Sequence, residues 1–382
     1  MHLLQLPLEV FRDILERVVS DLNMLAAVKL RRVNKLFNCE ILRACASTDA
    51  IDIHVKWETP LIGLFSRYAI QRPYPKTLPT SSIVTRMNYV VDELAKHEES
   101  DSSEHLRFEL HHLRYRNIHL YIQKTGTIGS TPDSHHVALA AVYLGRHDYF
   151  QSLVESEQLN ISGLRSDIFG TPLLAAIDGG HYDYVLNLLD RYGASNMKQE
   201  LDYLQNMRVY RFSSYLNPAA CQGDIQIVRL LLRPEYGLAA SKAELREAFS
   251  VALGENHSDI AHLLLDHLTP DFGESRADSP GYLTFYLRKA CTSGDLGIVQ
   301  RLVSLGADVN YRYEYGYNAN RPAVLAAWKG HKKVLQHLLD NGLNIHETYF
   351  PFLAMAAAAW GGHADIAKIL LDAGMQMTPI EA

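Results

Sequence analysis

Little in this chain suggests secretion, a membrane or catalysis. Its 382 residues hold four cysteines, Cys39, Cys45, Cys221 and Cys291, and their spacings form no pairs. They read as buried, reduced thiols, which points to the cytoplasm or nucleus. No charged segment followed by a long apolar run opens the chain, so no signal peptide is expected. No stretch reaches about 18 apolar residues, so no transmembrane helix is expected either. Basic excess is missing too. The net charge is −6, and nothing fold-wide invites nucleic acid as a partner.

Catalytic motifs are equally scarce. Gly126-Thr127-Ile128-Gly129-Ser130 lacks the spacing and the lysine of a phosphate loop. No His-Glu-x-x-His occurs, and no Gly-x-Ser-x-Gly. The 18 histidines do not form metal sets. His111-His112 and His135-His136 are adjacent, so on a helix they diverge by about 100° and cannot easily share an ion. No catalytic residue, metal ligand or cofactor is expected.

What is abundant is repetition. Thr171-Pro172-Leu173-Leu174-Ala175-Ala176-Ile177-Asp178-Gly179-Gly180-His181 encodes a turn, a short helix and a second turn. Thr171 can cap the helix, and Pro172 suits its first position, where a missing N–H costs nothing. Ala175 and Ala176 allow a neighbouring helix to come close. Gly180 suits a left-handed ending. Copies can be counted from the ending residue: Gly145, Gly180, Gly223, Asn256, Gly294, Gly330 and Gly362. The intervals are 35, 43, 33, 38, 36 and 32 residues. Four, five, eight and nine residues after each ending, all 28 positions are apolar, which places a second helix with one buried face in every copy. One such unit cannot bury its face alone and needs stacked neighbours.

The Thr-Pro-Leu opening and the spacing near 33 resemble the ankyrin repeat over residues 131–382. The resemblance is strong in the second, sixth and seventh copies. The sixth reads Arg321-Pro322-Ala323-Val324-Leu325-Ala326-Ala327-Trp328-Lys329-Gly330-His331. The fourth is degenerate, with Asn256 for glycine and no Thr-Pro. The resemblance implies an all-α solenoid of about seven repeats. It also implies that His181, His331 and His363 bond the backbone of a neighbouring turn, and that a protein target lies in the groove of the first helices. One groove position reads Tyr143, Asp178, Cys221, Gly254, Thr292, Trp328 and Trp360. Trp328, its neighbour Lys329 and Trp360 are therefore candidate partner-binding residues. Tyr311, Tyr313, Tyr315 and Tyr317 join them. They alternate before Trp328 and would share one face of an extended finger. Tyr349 and Phe350 would add to the same surface. The alternative is that these aromatics pack against their own repeats.

The N-terminal segment differs. Leu6-Pro7-Leu8-Glu9 opens a helix whose apolar face is Val10, Phe11, Ile14, Leu15 and Val18. Asp21 is expected to cap a second helix, and a third apolar run follows to Leu42. Leu6-Pro7 with Glu9, Ile14-Leu15, Asp21-Leu22 and Val33-Asn34-Lys35 with Phe37 resemble the F-box over residues 3–45. That resemblance implies docking on the adaptor of a cullin-type ubiquitin ligase through Leu6, Pro7, Glu9, Ile14, Leu15 and Val33. The competing reading is a helical cap on the solenoid, in a plain ankyrin scaffold with no ligase role. Residues 46–130 read as a helical connector, with helices near 60–68, 87–94 and 106–122 and an acidic loop at 98–104. The 43-residue interval leaves room for an extra helix at 199–208. Residues 269–281 read as a solvated loop.

Overall fold

The computed structural model describes residues 8–21, 83–96, 132–166, 168–206, 214–236, 238, 240–269, 280–311, 321–346 and 350–375. Among them are 16 α-helices and no β-strand, beyond one isolated bridge between Ser166 and Gly170. They divide into two compact units, Met1–Tyr215 and Leu216–Ala382.

Each of the seven residues counted from the sequence has a positive φ: Gly145 71°, Gly180 74°, Gly223 90°, Asn256 66°, Gly294 84°, Gly330 81° and Gly362 74°. In five of them the next residue donates its N–H to the carbonyl five back. The acceptor is an alanine every time: Ala141, Ala176, Ala252, Ala326 and Ala358. This closure satisfies an otherwise orphaned carbonyl at the helix end.

A pair of helices flanks each turn. In the first unit α1 is Leu8–Asp21 and α2 is Ile83–Ala95. The pairs there are α3 (Asp133–Tyr143) with α4 (His147–Ser156), and α5 (Pro172–Asp178) with α6 (Tyr182–Asn206). Helix α2 packs on α3, and α3 on α5. Val90, Val91 and Leu94 are the buried side of α2, as their spacing predicts. In the second unit the pairs are α7 (Leu216–Gln222) with α8 (Ile225–Leu231), α9 (Lys242–Glu255) with α10 (Ser258–Leu268), α11 (Pro280–Ser293) with α12 (Leu296–Ser304), α13 (Pro322–Lys329) with α14 (Lys332–Asp340), and α15 (Phe350–Gly361) with α16 (Ala364–Asp372). First helices pack on first helices in series, and among second helices α8 packs on α10, α12 on α14 and α14 on α16. Ala219, Ala220, Ala252, Ala290, Ala326, Ala327 and Ala358 are fully buried where the first helices approach.

Local chemistry explains the boundaries. Thr171 accepts from the Leu174 N–H and caps α5, with Pro172 at the first position. The fourth copy, degenerate in its signature, closes its first helix by other residues. Ser241 and Glu244 make a capping box at the start of α9, and Asn256 takes the left-handed conformation in place of glycine. Asp224 and Asp295 cap α8 and α12.

Several expectations are corrected. Val10 is exposed, so the buried side of α1 is narrower than its five apolar residues suggest and centres on Phe11 and Leu15. Helix α1 runs to Asp21. The extra helix at 199–208 is no separate element, because α6 runs unbroken for 25 residues to Asn206. Its extension carries Glu200, which is only 5 % exposed and receives hydrogen bonds from Tyr215 and Thr171. Burial pushes the Glu200 carboxyl above its usual range, against those bonds and the charge of Arg165. Helix α11 starts at Pro280, so Gly281 is helical and not part of a loop. Cys291 is buried, and burial pushes its thiol far up, while Cys221 is only half-buried. The helices expected near 60–68 and 106–122, the later helices of the N-terminal segment and the acidic stretch at 98–104 lie outside the described residues.

Candidate partner-binding surface

Four of the turn glycines meet a second constraint. The imidazole of the next pair lies against each: His181 at Gly145, His257 at Gly223, His331 at Gly294 and His363 at Gly330. His181 Nε2 bonds the Tyr143 carbonyl at 2.7 Å, His257 Nε2 that of Cys221 at 3.2 Å, and His331 Nε2 that of Thr292 at 3.1 Å. These three acceptors occupy the groove position read from the sequence, two residues before the turn. The ring therefore ties successive pairs together, as the resemblance implied for His181 and His331. His257 was missed, because Asn256 hides the Gly-His signature. Its constant place after the turn residue was the available signal.

Two further histidines, His135 and His136, have structural partners as well. His136 is fully buried, with Nδ1 2.7 Å from the Ser166 hydroxyl. That hydroxyl accepts the Ile168 and Phe169 N–H groups, so its proton goes to His136. His135 turns instead to the backbone of Arg165. Among the described residues no three His, Cys, Asp or Glu side chains gather in a way that could hold a metal ion.

The two tryptophans at the groove position face solvent. Trp328 is 44 % exposed and Trp360 86 %. Both sit two residues before their turn glycine, on neighbouring helices α13 and α15 that pack directly. Lys329 Nζ lies 4.3 Å from the centre of the Trp328 ring, a cation–π contact. Tyr311 is half-buried, while Tyr313, Tyr315, Tyr317 and Tyr349 lie outside the described residues. Phe350 does not belong to the surface. It is 1 % exposed and sits beneath the Arg321 guanidinium.

In the second unit three exposed aromatics escaped sequence reasoning: Tyr282 and Phe285 on α11, and Phe352 on α15. Lys289 Nζ lies 5.5 Å from the Phe285 ring centre and donates to the Ser250 carbonyl at 2.7 Å. Burial lowers the Lys289 ammonium's pKa, with Glu255 opposing. The signal was present in the spacing, since 282, 285 and 289 share one helical face. None of α11, α13 and α15 contains an Asp or Glu, whereas they carry Arg288, Lys289 and Lys329. Acidic residues lie instead on second helices, where Asp365 of α16 pairs with Lys332 of α14.

At the N-terminal end Glu9 is exposed, Ile14 half-buried and Leu15 buried, while Leu6, Pro7 and Val33 lie outside the described residues. No described helix is long and apolar enough to cross a membrane.

Residues 287–380 match the family model for ankyrin repeats, in three copies. A comparison with curated proteins found no match. Ankyrin repeats make this part of the chain a protein–protein interaction module.

Proposed function

We propose that the chain is a non-catalytic receptor that holds a protein target on its first-helix surface, and that the helix pairs before residue 287 are further, more divergent copies of the same repeat, about seven in all. One observation carries this reading. Trp328 and Trp360 are large aromatic side chains left in water at equivalent places in consecutive pairs, and tryptophan in such positions is enriched among binding hot spots. Affinity purification with intact protein beside the Trp328→Ala/Trp360→Ala form tests it. Targets retained equally by both forms would remove the surface from the account.

The second half of the proposal is adaptor docking in a cullin-type ubiquitin ligase, in the cytoplasm or nucleus. It rests on the Leu6-Pro7-x-Glu9 and Ile14-Leu15 motif, carried in part by α1. Leu15→Asp puts an unpaired carboxylate at a site only 2 % exposed, a costly burial. Adaptor binding is then lost while the helical circular dichroism of the repeats stays unchanged. Glu9→Lys, at an exposed position, weakens binding without that structural cost. A wild-type protein that does not bind purified adaptor would leave the plain scaffold, with α1 as a cap, as the better reading.

A further inference from the structure

We propose that the surface formed by α11, α13 and α15 takes an acidic peptide segment with apolar side chains, presented by another protein. The proposal rests on the reading of this surface as a partner site and adds the chemistry of what it holds.

Charge supports it first. The whole chain has 43 acidic and 37 basic residues, so three successive first helices without a carboxylate are unusual within it. The three first helices have none, and three cations stand among them. Lys329 is poised for an incoming anion. Its ammonium lies over the Trp328 ring and has no carboxylate partner among the described residues. Three residues later Lys332, on a second helix, is already paired with Asp365. An unpaired, exposed cation beside an aromatic ring costs nothing in the free protein and gains when a carboxylate arrives in a partly desolvated setting.

The rings supply the rest. Trp328 and Trp360 stand at the same place on adjacent helices, and packed helices lie about 8–10 Å apart. That span is roughly three residues of extended chain. A short segment can therefore lay apolar side chains on both indoles and carboxylates near Lys329. Phe285, under Lys289, repeats the ring-and-ammonium pairing one helix earlier. Acidic residues return at Glu247 and Glu255 of α9, which sets the limit of the surface on that side. Single-stranded nucleic acid also combines anions with stacking faces. Three cations on a chain of net charge −6 suit a few carboxylates better than a run of phosphates.

The test uses the full-length protein and three short fluorescein-labelled peptides, built on repeating Glu-Leu-Gly, Ser-Leu-Gly and Lys-Leu-Gly, read by anisotropy. The Glu-Leu-Gly peptide is expected to bind at least about tenfold tighter than the serine version, with the lysine version weakest and the preference shrinking as salt rises. Lys329→Glu erases the preference, and its exposed position leaves the fold intact. Equal binding of all three peptides, no binding of the acidic one, or a preference untouched by Lys329→Glu overturns the proposal. If Trp328→Ala/Trp360→Ala still weakens every peptide in those cases, the partner surface survives and only its acidic specificity falls. If the tryptophan variant changes nothing, both fall. An oligo-thymidine that displaces the acidic peptide at lower concentration also overturns it.

Discussion

Phe350→Ala lowers the melting temperature sharply, while the Trp328→Ala/Trp360→Ala form melts close to wild type. All three residues are aromatic and lie on or beside neighbouring first helices, so the contrast isolates burial. Phe350 is 1 % exposed, and its truncation leaves a cavity worth about 3–5 kcal/mol. Trp360, at 86 % exposed, has almost no packing to lose, and substitutions at such sites stay within about 0.5 kcal/mol. Trp328 gives up its contact with Lys329 and part of its burial, an additional cost of about 1 kcal/mol or less. In binding the order reverses. Target affinity of the double tryptophan variant falls by about 2 kcal/mol, roughly thirtyfold, if both are hot spots. Thermal melts of the separate variants decide the first half without any partner. A drop for either tryptophan as large as that for Phe350 would make it core and remove the main anchor of the proposed surface.

The second large effect is expected at the turns. Gly330 and Gly342 both have positive φ, 81° and 87°. Alanine at either must adopt the left-handed conformation, costing about 1–2 kcal/mol. Nothing lies within 4 Å of a methyl group at 342, whereas one at 330 would fall 2.5 Å from His363 Cε1. Gly330→Ala must therefore also displace the imidazole, and such overpacking adds roughly 1–3 kcal/mol. Denaturant midpoints should rank Gly330→Ala well below Gly342→Ala. In a His363→Ala background the gap should close, since only the backbone term remains. A gap that persists there would show that the ring is not the cause.

That double constraint is why the turns were legible. A residue that must take positive φ and also leave room for a ring has to be glycine, as at Gly145, Gly223, Gly294 and Gly330, and the positive φ alone marks the other three turns. At the single exception the ring is absent. The pair after Asn256 offers Asp295 in the place where four others offer histidine, so no imidazole is supplied to lie over position 256, and asparagine tolerates the left-handed conformation. The second-helix faces were legible for a similar reason. Tyr184, Val185, Leu188 and Leu189 are all buried, as their spacing required.

Other features had no such signature. The continuity of α6 is decided by where Glu200 finds Tyr215 and Thr171, a tertiary contact that overrides the usual cost of Gly193 inside a helix. The exposure of Val10 could not be read from α1, because apolar spacing marks a face without saying how much of it is covered. Phe350 looked like its aromatic neighbours in a finger, yet it begins α15 and is buried. Trp328 and Trp360 were found because two equivalent positions held the same bulky residue. Tyr282 and Phe285 were overlooked because no second copy repeats them.

The joint between the pairs ending at Asn256 and Gly294 has a mechanical consequence. Its neighbours within the second unit are fastened by histidine-to-carbonyl bonds at Cys221 and Thr292. This joint relies on Arg301 with Asp266 at 2.8 Å, His262 with Asp295 at 3.3 Å and the Lys289 bond to Ser250. Burial opposes ionisation of Asp295, but the Ile298 N–H, the Ser258 hydroxyl and the His262 ring outweigh it and hold its carboxyl below the usual range. Ions in solution weaken exposed charge pairs and affect a hydrogen bond between an imidazole and a backbone carbonyl much less. Pulled from both ends in an optical trap, residues 216–375 should part first at this joint in concentrated salt, and lose that preference in dilute buffer. A rupture order indifferent to salt would show that charge does not set the strength of this link. The array is then a spring with one coil of different material, whose stiffness follows the ionic strength of its surroundings.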